Sequence, residues 1–377
     1  MANILTGLIP TIYDDLDTVA REQIGFLPAV NKNASADGAA IGQSITYYQT
    51  APGVMEDTTA SFIPTASADQ TIAPKSMTLQ YGKTYKFDWT GEEQLSVKSQ
   101  LSGISGGQFA QGFRALDNYM EQTVAAAALV GASRAIGTAG SAPFTGTDMM
   151  PFSSLGRALD DNGAPAGGRS LILSPSGRES FRGKQSNVYK ANEGGGVLNL
   201  RTGAIDNLYD FDIGTSRWAG VNVGGTGASY TVSGASVAGQ TVLTLAAGTG
   251  TILPGNVVTI GNFKYVVVTG TAAPGTITIQ NPGLMEAVVS GATVTLSATY
   301  TANTAFQANA IQLMVRTPAL PTVGDMAIDR TYVTSPISGI TYEVAVYAGV
   351  RKVQFQIGVV WGVQVVKPEF VATLLGN

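Results

Sequence analysis

The sequence contains no cysteine and no histidine. The first absence removes disulfides and thiolate nucleophiles. Together the two remove imidazole bases and the ordinary zinc sites. Charge is scarce as well: Asp, Glu, Lys and Arg make up 13% of the chain, about half of the roughly 25% usual in soluble domains. Long hydrophobic runs are also missing. Nothing approaches the roughly 18 uninterrupted apolar residues of a membrane helix, and the longest candidate, Val124 to Val130, is short and Ala-rich. The N-terminal Met-Ala-Asn-Ile-Leu-Thr-Gly-Leu-Ile-Pro lacks a basic region, and Pro10, Asp14, Asp15 and Asp17 break its apolar character. No signal peptide is expected, and the expected setting is a cytoplasm with no membrane partner.

What is present is 377 residues, 44% apolar, with a formal net charge of −4. The length suggests two or three domains. The charge argues against nucleic acid gripping the outside of the chain as a whole, which needs clustered Lys and Arg. It leaves room for a few local basic residues facing a packaged polymer. The surface must instead be Thr, Ser, Gly, Asn and Ala. That suits a secreted β-rich protein and, equally, a protein whose faces are consumed by other subunits.

Pro10 is placed to start a helix whose apolar positions are Ile12, Leu16, Val19, Ala20 and Ile24. From Asn31 to about Ala73 the periodicity dissolves, apart from an extended piece at Ser44 to Tyr48, which predicts an arm ordered by something outside its own core. Strands are predicted at Met77–Tyr81 and Tyr85–Trp89. A long helix is predicted over Gln108 to Val130, with Phe109, Phe113, Leu116, Met120, Val124 and Ala127 on its apolar face and Arg114, Asp117, Asn118, Glu121 and Gln122 on its flanks. Gly131 to Thr147 reads as a linker, and Gly103–Gly107 and Gly131–Gly140 read as hinges. An α/β stretch follows over about Met150 to Val223. Residues 224–300, almost without charge, show six short strands at Tyr230–Val232, Thr241–Leu245, Val257–Ile260, Phe263–Val268, Thr276–Ile279 and Ala292–Leu296, the pattern of a small sandwich or barrel. Ala305 to Val315 has helical spacing. The chain closes with a hairpin from Tyr342, turning at Ala348-Gly349, whose return strand alternates Val353, Phe355, Ile357, Val359, Trp361, Val363 and Val365 with Gln354, Gln356 and Gln364.

Chemistry-bearing constellations are weak. Gly82-Lys83-Thr84 ends like a phosphate-binding loop, but Met77 stands where the first glycine belongs and strands flank it. Gly183-Lys184-Gln185-Ser186 has Gly177 one residue too far away and Gln185 where a magnesium-binding hydroxyl is needed. The carboxylate pairs Asp160–Asp161, Glu92–Glu93 and Asp210 with Asp212 lack a further acidic or amide cluster at metal spacing, and read as caps and turns. Asp210 and Asp212 would share one strand face. No G-x-S-x-G is present. Tyr81, Tyr85, Phe87 and Trp89, alternating with Lys83 and Lys86, fit a core face better than a nucleic-acid platform. No catalytic, cofactor-binding or metal residue is assigned, and no cofactor is expected.

The order of parts is similar to that of tailed-phage major capsid proteins. ALDDNGAPAGGRSLILSPSGRESF, residues 158–181, resembles a recurrent segment of their axial domain: helix, Asn-Gly-Ala-Pro, buried strand ending in Ser-Pro, second helix. Gly203 to Ile213 resembles the strand pair that follows, Ala305 to Leu313 the helix returning from that domain, and Tyr342 to Pro368 the peripheral-domain hairpin. Leu253-Pro254-Gly255-Asn256-Val257-Val258-Thr259-Ile260 and Ile9-Pro10-Thr11-Ile12-Tyr13-Asp14 resemble the Salmonella short-tailed-phage branch, which carries an inserted β-domain.

The resemblance implies an α+β, Hong Kong 97-type capsid fold with a small inserted β-barrel or sandwich. Its expected parts are an N-terminal arm (1–33), an extended loop with flanking strands (34–100), a spine helix of the peripheral domain (101–147), a first axial part (148–223), the insertion (224–300), a second axial part (301–340), and the peripheral hairpin with the C-terminus (341–377). It implies a homo-oligomer of pentamers and hexamers in a virion capsid. Scaffolding, portal and decoration proteins would be partners, and double-stranded DNA would be enclosed without sequence-specific binding. No residues match the Lys–Asn crosslinking found in some such capsids. The alternatives are a secreted β-rich surface protein or adhesin and an encapsulin-like compartment shell.

Overall fold

The computed structural model describes residues 22–49, 72–97, 101–144, 150–183, 207–335 and 338–377. Most of the helix expected from Pro10, residues 50–71 of the arm, residues 184–186 of the second glycine-lysine motif and residues 203–206 lie outside the described residues.

The first elements are α1 (Phe26–Ala29), β1 (Asn31–Ala39), β2 (Ser44–Gln49), β3 (Ala73–Thr78), β4 (Tyr81–Thr90), α2 (Gly91–Val97), α3 (Leu101–Gly131) and β5 (Arg134–Ile136). At 31 residues, α3 is about 46 Å long. It begins seven residues before the expected start, so the glycines at 103, 106 and 107 lie inside the helix and form no separate joint. The chain from Gly131 is likewise no plain linker, because Arg134–Ile136 is a strand.

The middle elements are α4 (Met150–Asp160), β6 (Arg169–Leu173), α5 (Pro175–Arg182), β7 (Asn207–Leu208), β8 (Phe211–Thr215), β9 (Val221–Asn222), β10 (Tyr230–Val232), β11 (Val242–Ala246), β12 (Val257–Ile260), β13 (Phe263–Thr269), β14 (Thr276–Ile279) and β15 (Thr293–Leu296). The chain ends with β16 (Tyr300–Gln307), β17 (Ile311–Pro318), β18 (Ala327–Thr334), β19 (Thr341–Gly349), β20 (Lys352–Val365) and β21 (Val371–Gly376). The helix expected over Ala305 to Val315 is therefore two strands joined by a single 3-10 turn, Ala308–Ala310. Seven of the eight residues of β16 are buried. A strand covered on both faces loses its two-residue alternation, and its apolar run imitates helical spacing.

Two sheets organise the body. In the six-stranded sheet the order is β1-β17-β20-β19-β18, with β4 also pairing β20. Long strand β20 borders β17 through its second half and β19 through its first, and pairs with β4 over Lys352 to Trp361. Every residue from Ile357 to Val363 is buried. The α3 side explains half of this: Phe109 packs edge-on to Phe87 (4.9 Å) and Phe355 (5.4 Å), Phe113 to Tyr342 (5.3 Å) and Tyr119 to Trp361 (5.7 Å). The other face is closed where Met77 of β3 and Leu79, with Ile45 and Tyr47 of β2 beside them, pack on Ala39, Met314 and Val360 of the sheet. Gly112 lets α3 approach closely, since a Cβ there would lie 2.6 Å from Tyr85 Cδ1.

The described part of the arm is thus more regular than its composition suggests. Asn31–Ala39 forms a strand parallel to β17, held by backbone bonds that a polar, non-periodic sequence does not advertise. The hairpin turn is Val350-Arg351, with Arg351 at φ +58°, two residues later than Ala348-Gly349.

The second sheet runs β7-β8-β6-β16-β21-β5, with β9 also on β16, and continues through β13 into the strands of residues 224–300. Strand β21, fully buried between β16 and β5, places the C-terminus in this sheet and away from the hairpin's sheet. Conversely β17 and β18 belong with the hairpin, so the expected 340/341 boundary does not separate the sheets. One face packs on the second half of α3, through Ala125, Ala128 and Leu129 against Ile172, Tyr300, Phe306 and Val371. The opposite core carries Phe144, Phe152, Leu155, Leu159 and Phe181 with Leu171 and Leu173.

All six expected strands of residues 224–300 are present, and they close: β12-β15-β10-β11-β14-β13, with β13 pairing back to β12. Closure removes free edges and encloses a separate core of Tyr230, Leu243, Val258, Ile260, Tyr265 and Ile277.

Candidate functional site

The residues that looked most like chemistry are occupied by architecture. Asp160 receives Arg169 at 2.6 Å, and Arg169 also donates to the Ala164 and Pro165 carbonyls, which fixes the loop after α4. Asp161 pairs with the buried Arg134 at 3.2 Å. Ser174 caps α5 by accepting from Gly177 N (2.9 Å), with Pro175 opening the helix, which gives the Ser-Pro of the 158–181 segment its physical role. Thr90 and Glu93 form a reciprocal capping box on α2.

Tyr209 and Asp210 are the two positive-φ residues of a tight β7–β8 hairpin, so Asp210 does not share a strand face with Asp212. Gly82-Lys83-Thr84 lies inside β4, paired to β20, and makes no phosphate loop. Phe87 and Trp89 are buried, so the aromatic row is core. Among the described residues no group of three or more acidic residues converges on a metal position.

The polar flank of α3 has a function that sequence reasoning missed. Glu121, completely buried, accepts the backbone N–H groups of Gly25 (2.6 Å), Phe26 (2.8 Å) and Leu27 (2.8 Å). Burial pushes its carboxyl above the ordinary range, and the backbone donors partly oppose that. One turn earlier, buried Asp117 accepts from the Tyr342 hydroxyl at 2.6 Å, and burial with that neighbouring charge raises the Tyr342 pKa. A turn further on, Arg114 and Asn118 hold Glu22, whose carboxyl is lowered to about 2 by these bonds. The flank is therefore a docking track for residues 22–27. No local signal reveals it, because the partners lie about ninety residues away in sequence.

The junction of barrel and body is equally specific. Asn256, in the Leu253-Pro254-Gly255-Asn256 motif, is buried and its side chain makes four bonds. Its Oδ1 accepts from Leu253 N (2.9 Å) and Gly225 N (3.0 Å), while its Nδ2 donates to Asn222 Oδ1 (2.7 Å) and the Val223 carbonyl (3.0 Å). Gly255 sits at φ +81°, where a Cβ would lie 2.6 Å from Leu129 Cδ2. The Tyr300 hydroxyl donates to the Gly255 carbonyl at 2.6 Å.

One surface is conspicuously unfinished. Among the described residues β18 pairs only with β19, and Met326 (81% exposed), Ile328 (65%) and Tyr332 (47%) lie on or beside it. Val350, at the adjoining hairpin turn, is 94% exposed. An edge of this kind invites strand addition.

No protein-family model matches the sequence, and no curated protein matches it. Similarity appears at the level of solved structures. A chain of the cyanophage A-1(L) capsid asymmetric unit is 10% identical, covers 98% of both chains and has a TM-score of 0.54. A chain of Mycobacterium phage Che8 is 14% identical, covering 98% of this chain and 97% of that one with a TM-score of 0.53. A chain of the capsid of cyanophage P-SCSP1u is 14% identical, covering 99% of this chain and 94% of that one with a TM-score of 0.52. Over nearly its whole length, the chain has the fold of phage capsid proteins.

Proposed function

We propose that this chain is the major capsid protein of a tailed double-stranded DNA bacteriophage, and that its copies assemble into an icosahedral shell around the genome. The observation that carries this reading is the whole-chain likeness: it covers 98% of both partners at a TM-score of 0.54, so no large part of the molecule is left over for another task. The finer reading is a Hong Kong 97-type architecture. In it α3, β4 and the β19–β20 hairpin form the peripheral domain, and the sheet with α4 and α5 forms the axial domain. The β2–β3 pair belongs to the extended loop, and the closed barrel is the inserted domain. Copies form pentamers and hexamers, and the exposed edge at β18 supports contact between them by strand pairing. Neutral Thr- and Ser-rich faces favour such contacts, because they lose water more cheaply than charged ones. Scaffolding, portal and decoration proteins are the partners in this reading, and the DNA is enclosed without being read.

The test is size-exclusion chromatography of the purified chain followed by negative-stain electron microscopy. Capsomers or closed shells are expected. A chain that stays monomeric at every concentration overturns the proposal.

A further inference from the structure

Where the barrel meets the body, a pocket of about 240 Å³ opens between the β12–β13 turn, β5 and α4. Its lining brings together three cations from separate parts of the chain: Arg134 on β5, Arg157 on α4 and Lys264 on β13. The only carboxylate in the lining is Asp161. The local sum is an excess of two positive charges, in a chain whose net charge is −4.

The donors are only partly used. Arg134, 4% exposed, spends its terminal nitrogens on Asp161, Asn162 and the Ala158 carbonyl, but its Nε–H is buried and has no protein acceptor. A buried charged donor left this way is costly, and an anion nearby offsets that cost. Arg157 reaches Asp161 only at 3.7 Å and its side chain is 76% exposed, so its fork is free to turn toward the pocket. Lys264 donates to the Gly137 carbonyl and has further N–H groups to give. Burial also pushes its ammonium pKa down, a penalty that an adjacent anion relieves. The Phe263 ring lies 5.8 Å from the Arg134 guanidinium carbon and walls one side. Glu286, outside the lining, is engaged by the Asn262 backbone N–H.

We propose that this junction is a binding site for a small phosphate-class oxyanion, held by Arg134, Arg157 and Lys264. Size and charge select the ligand together. About 240 Å³ is below the roughly 300–1,000 Å³ of sites for drug-sized molecules. Divalent phosphate balances the two surplus charges. The site also has a structural consequence: Arg134 is the body residue that pairs with Tyr265 of the barrel, so an anion here ties the two cores together. This inference does not depend on the capsid reading, because the pocket is complete within one chain.

The experiment is calorimetric titration of the full-length, unassembled chain with inorganic phosphate, against chloride at matched ionic strength. A second arm uses a short single-stranded oligonucleotide. Phosphate is expected to bind, and Arg157→Gln and Lys264→Gln are each expected to weaken it by about tenfold, the effect of losing one charge-assisted contact worth ~1.4 kcal/mol. Both substituted side chains are at the pocket's accessible rim, and circular dichroism confirms that each variant is folded. Equal heats with phosphate and chloride overturn the proposal. So does phosphate binding that both variants leave unchanged. Oligonucleotide binding lost in these variants, with no response to free phosphate, overturns it in favour of a nucleic-acid contact.

Discussion

The barrel and the spine module are built on opposite plans. The barrel draws its core from one continuous stretch, residues 230–294, and closes every strand onto a neighbour. The spine module collects α1, β1, β4, α3, β17, β19 and β20 from the two ends and the middle of the chain, and among the described residues it leaves β18 paired on one side only. A closed, local unit can be carried as cargo on a host fold. An open, non-local one depends on the whole chain and offers its edge to others.

The strongest way to break this comparison is to remove the host entirely. Residues 224–300 expressed alone should fold, giving a dispersed amide spectrum, because their core is self-contained and their ends are adjacent: Gly224 N donates to Thr299 Oγ1 at 3.0 Å. Stability will be marginal at this size, since Val257 and Val266 face the body's core. A collapsed, undispersed spectrum would show that the barrel is not autonomous.

Next in size is Trp361→Ala. Trp361 is fully buried, stacks on Tyr81 at 5.5 Å and donates to Thr123 Oγ1 at 3.0 Å. Its truncation should cost about 3–5 kcal/mol through the cavity it leaves. In urea the loss should appear in the signal of the two remaining tryptophans, Trp89 and Trp218, both outside the barrel, while hydrogen exchange in the barrel stays protected. A single lowered midpoint shared by both regions would contradict separate cores.

The same contrast explains what could be seen in advance. The barrel's strands were legible because each is a short apolar-alternating run bounded by its own turn signals, as at Gly261 between β12 and β13. The apolar stripe of α3 was legible too: Leu116, Met120 and Val124 are all buried as its spacing predicts. What was not legible outside the barrel was hidden for one reason. Burial of β16 and β17 on both faces, the burial of Asp117 and Glu121, and the pairing of polar β1 are all decided by residues distant in sequence. Arg134 and Lys264 were silent for the same reason, since nothing local puts β5 beside β13.

A smaller effect tests the join. Asn256→Ala removes the acceptor for the Leu253 and Gly225 N–H groups, and the cost should be about 1–3 kcal/mol for polar groups left unpaired. The loss should fall on the junction, read as faster hydrogen exchange at residues 222–225 and 253–256, with the β10–β11–β14 strands unchanged. Exchange rising evenly through the barrel would mean that Asn256 supports its core and not its attachment.

The smallest expected effect concerns how the N-terminal segment is held on α3, and its sign can be worked out. Glu22 has its carboxyl lowered from 4.5 to about 2 by Arg114 and Asn118, so the folded state holds its proton less readily than the unfolded chain. Its contribution is therefore fully present above about pH 4.5 and is lost as the pH falls toward 2. Glu121 works the other way. Burial raises its pKa, so its ionisation opposes folding, and protonation on acidification relieves that strain above the range where Glu22 titrates. Glu22→Gln should therefore remove the acid-side loss while leaving the Glu121 response intact. The pair is partly exposed, and its worth at neutral pH is that of a surface ion pair, about 0.2–1 kcal/mol. Hydrogen exchange at Phe26 and Leu27, followed across the acid range, reads both groups at once. An acid-side loss that persists unchanged in Glu22→Gln would show that Glu22 does not carry it, and because the raised pKa of Glu121 gives a response of the opposite sign, the loss would then belong to another group.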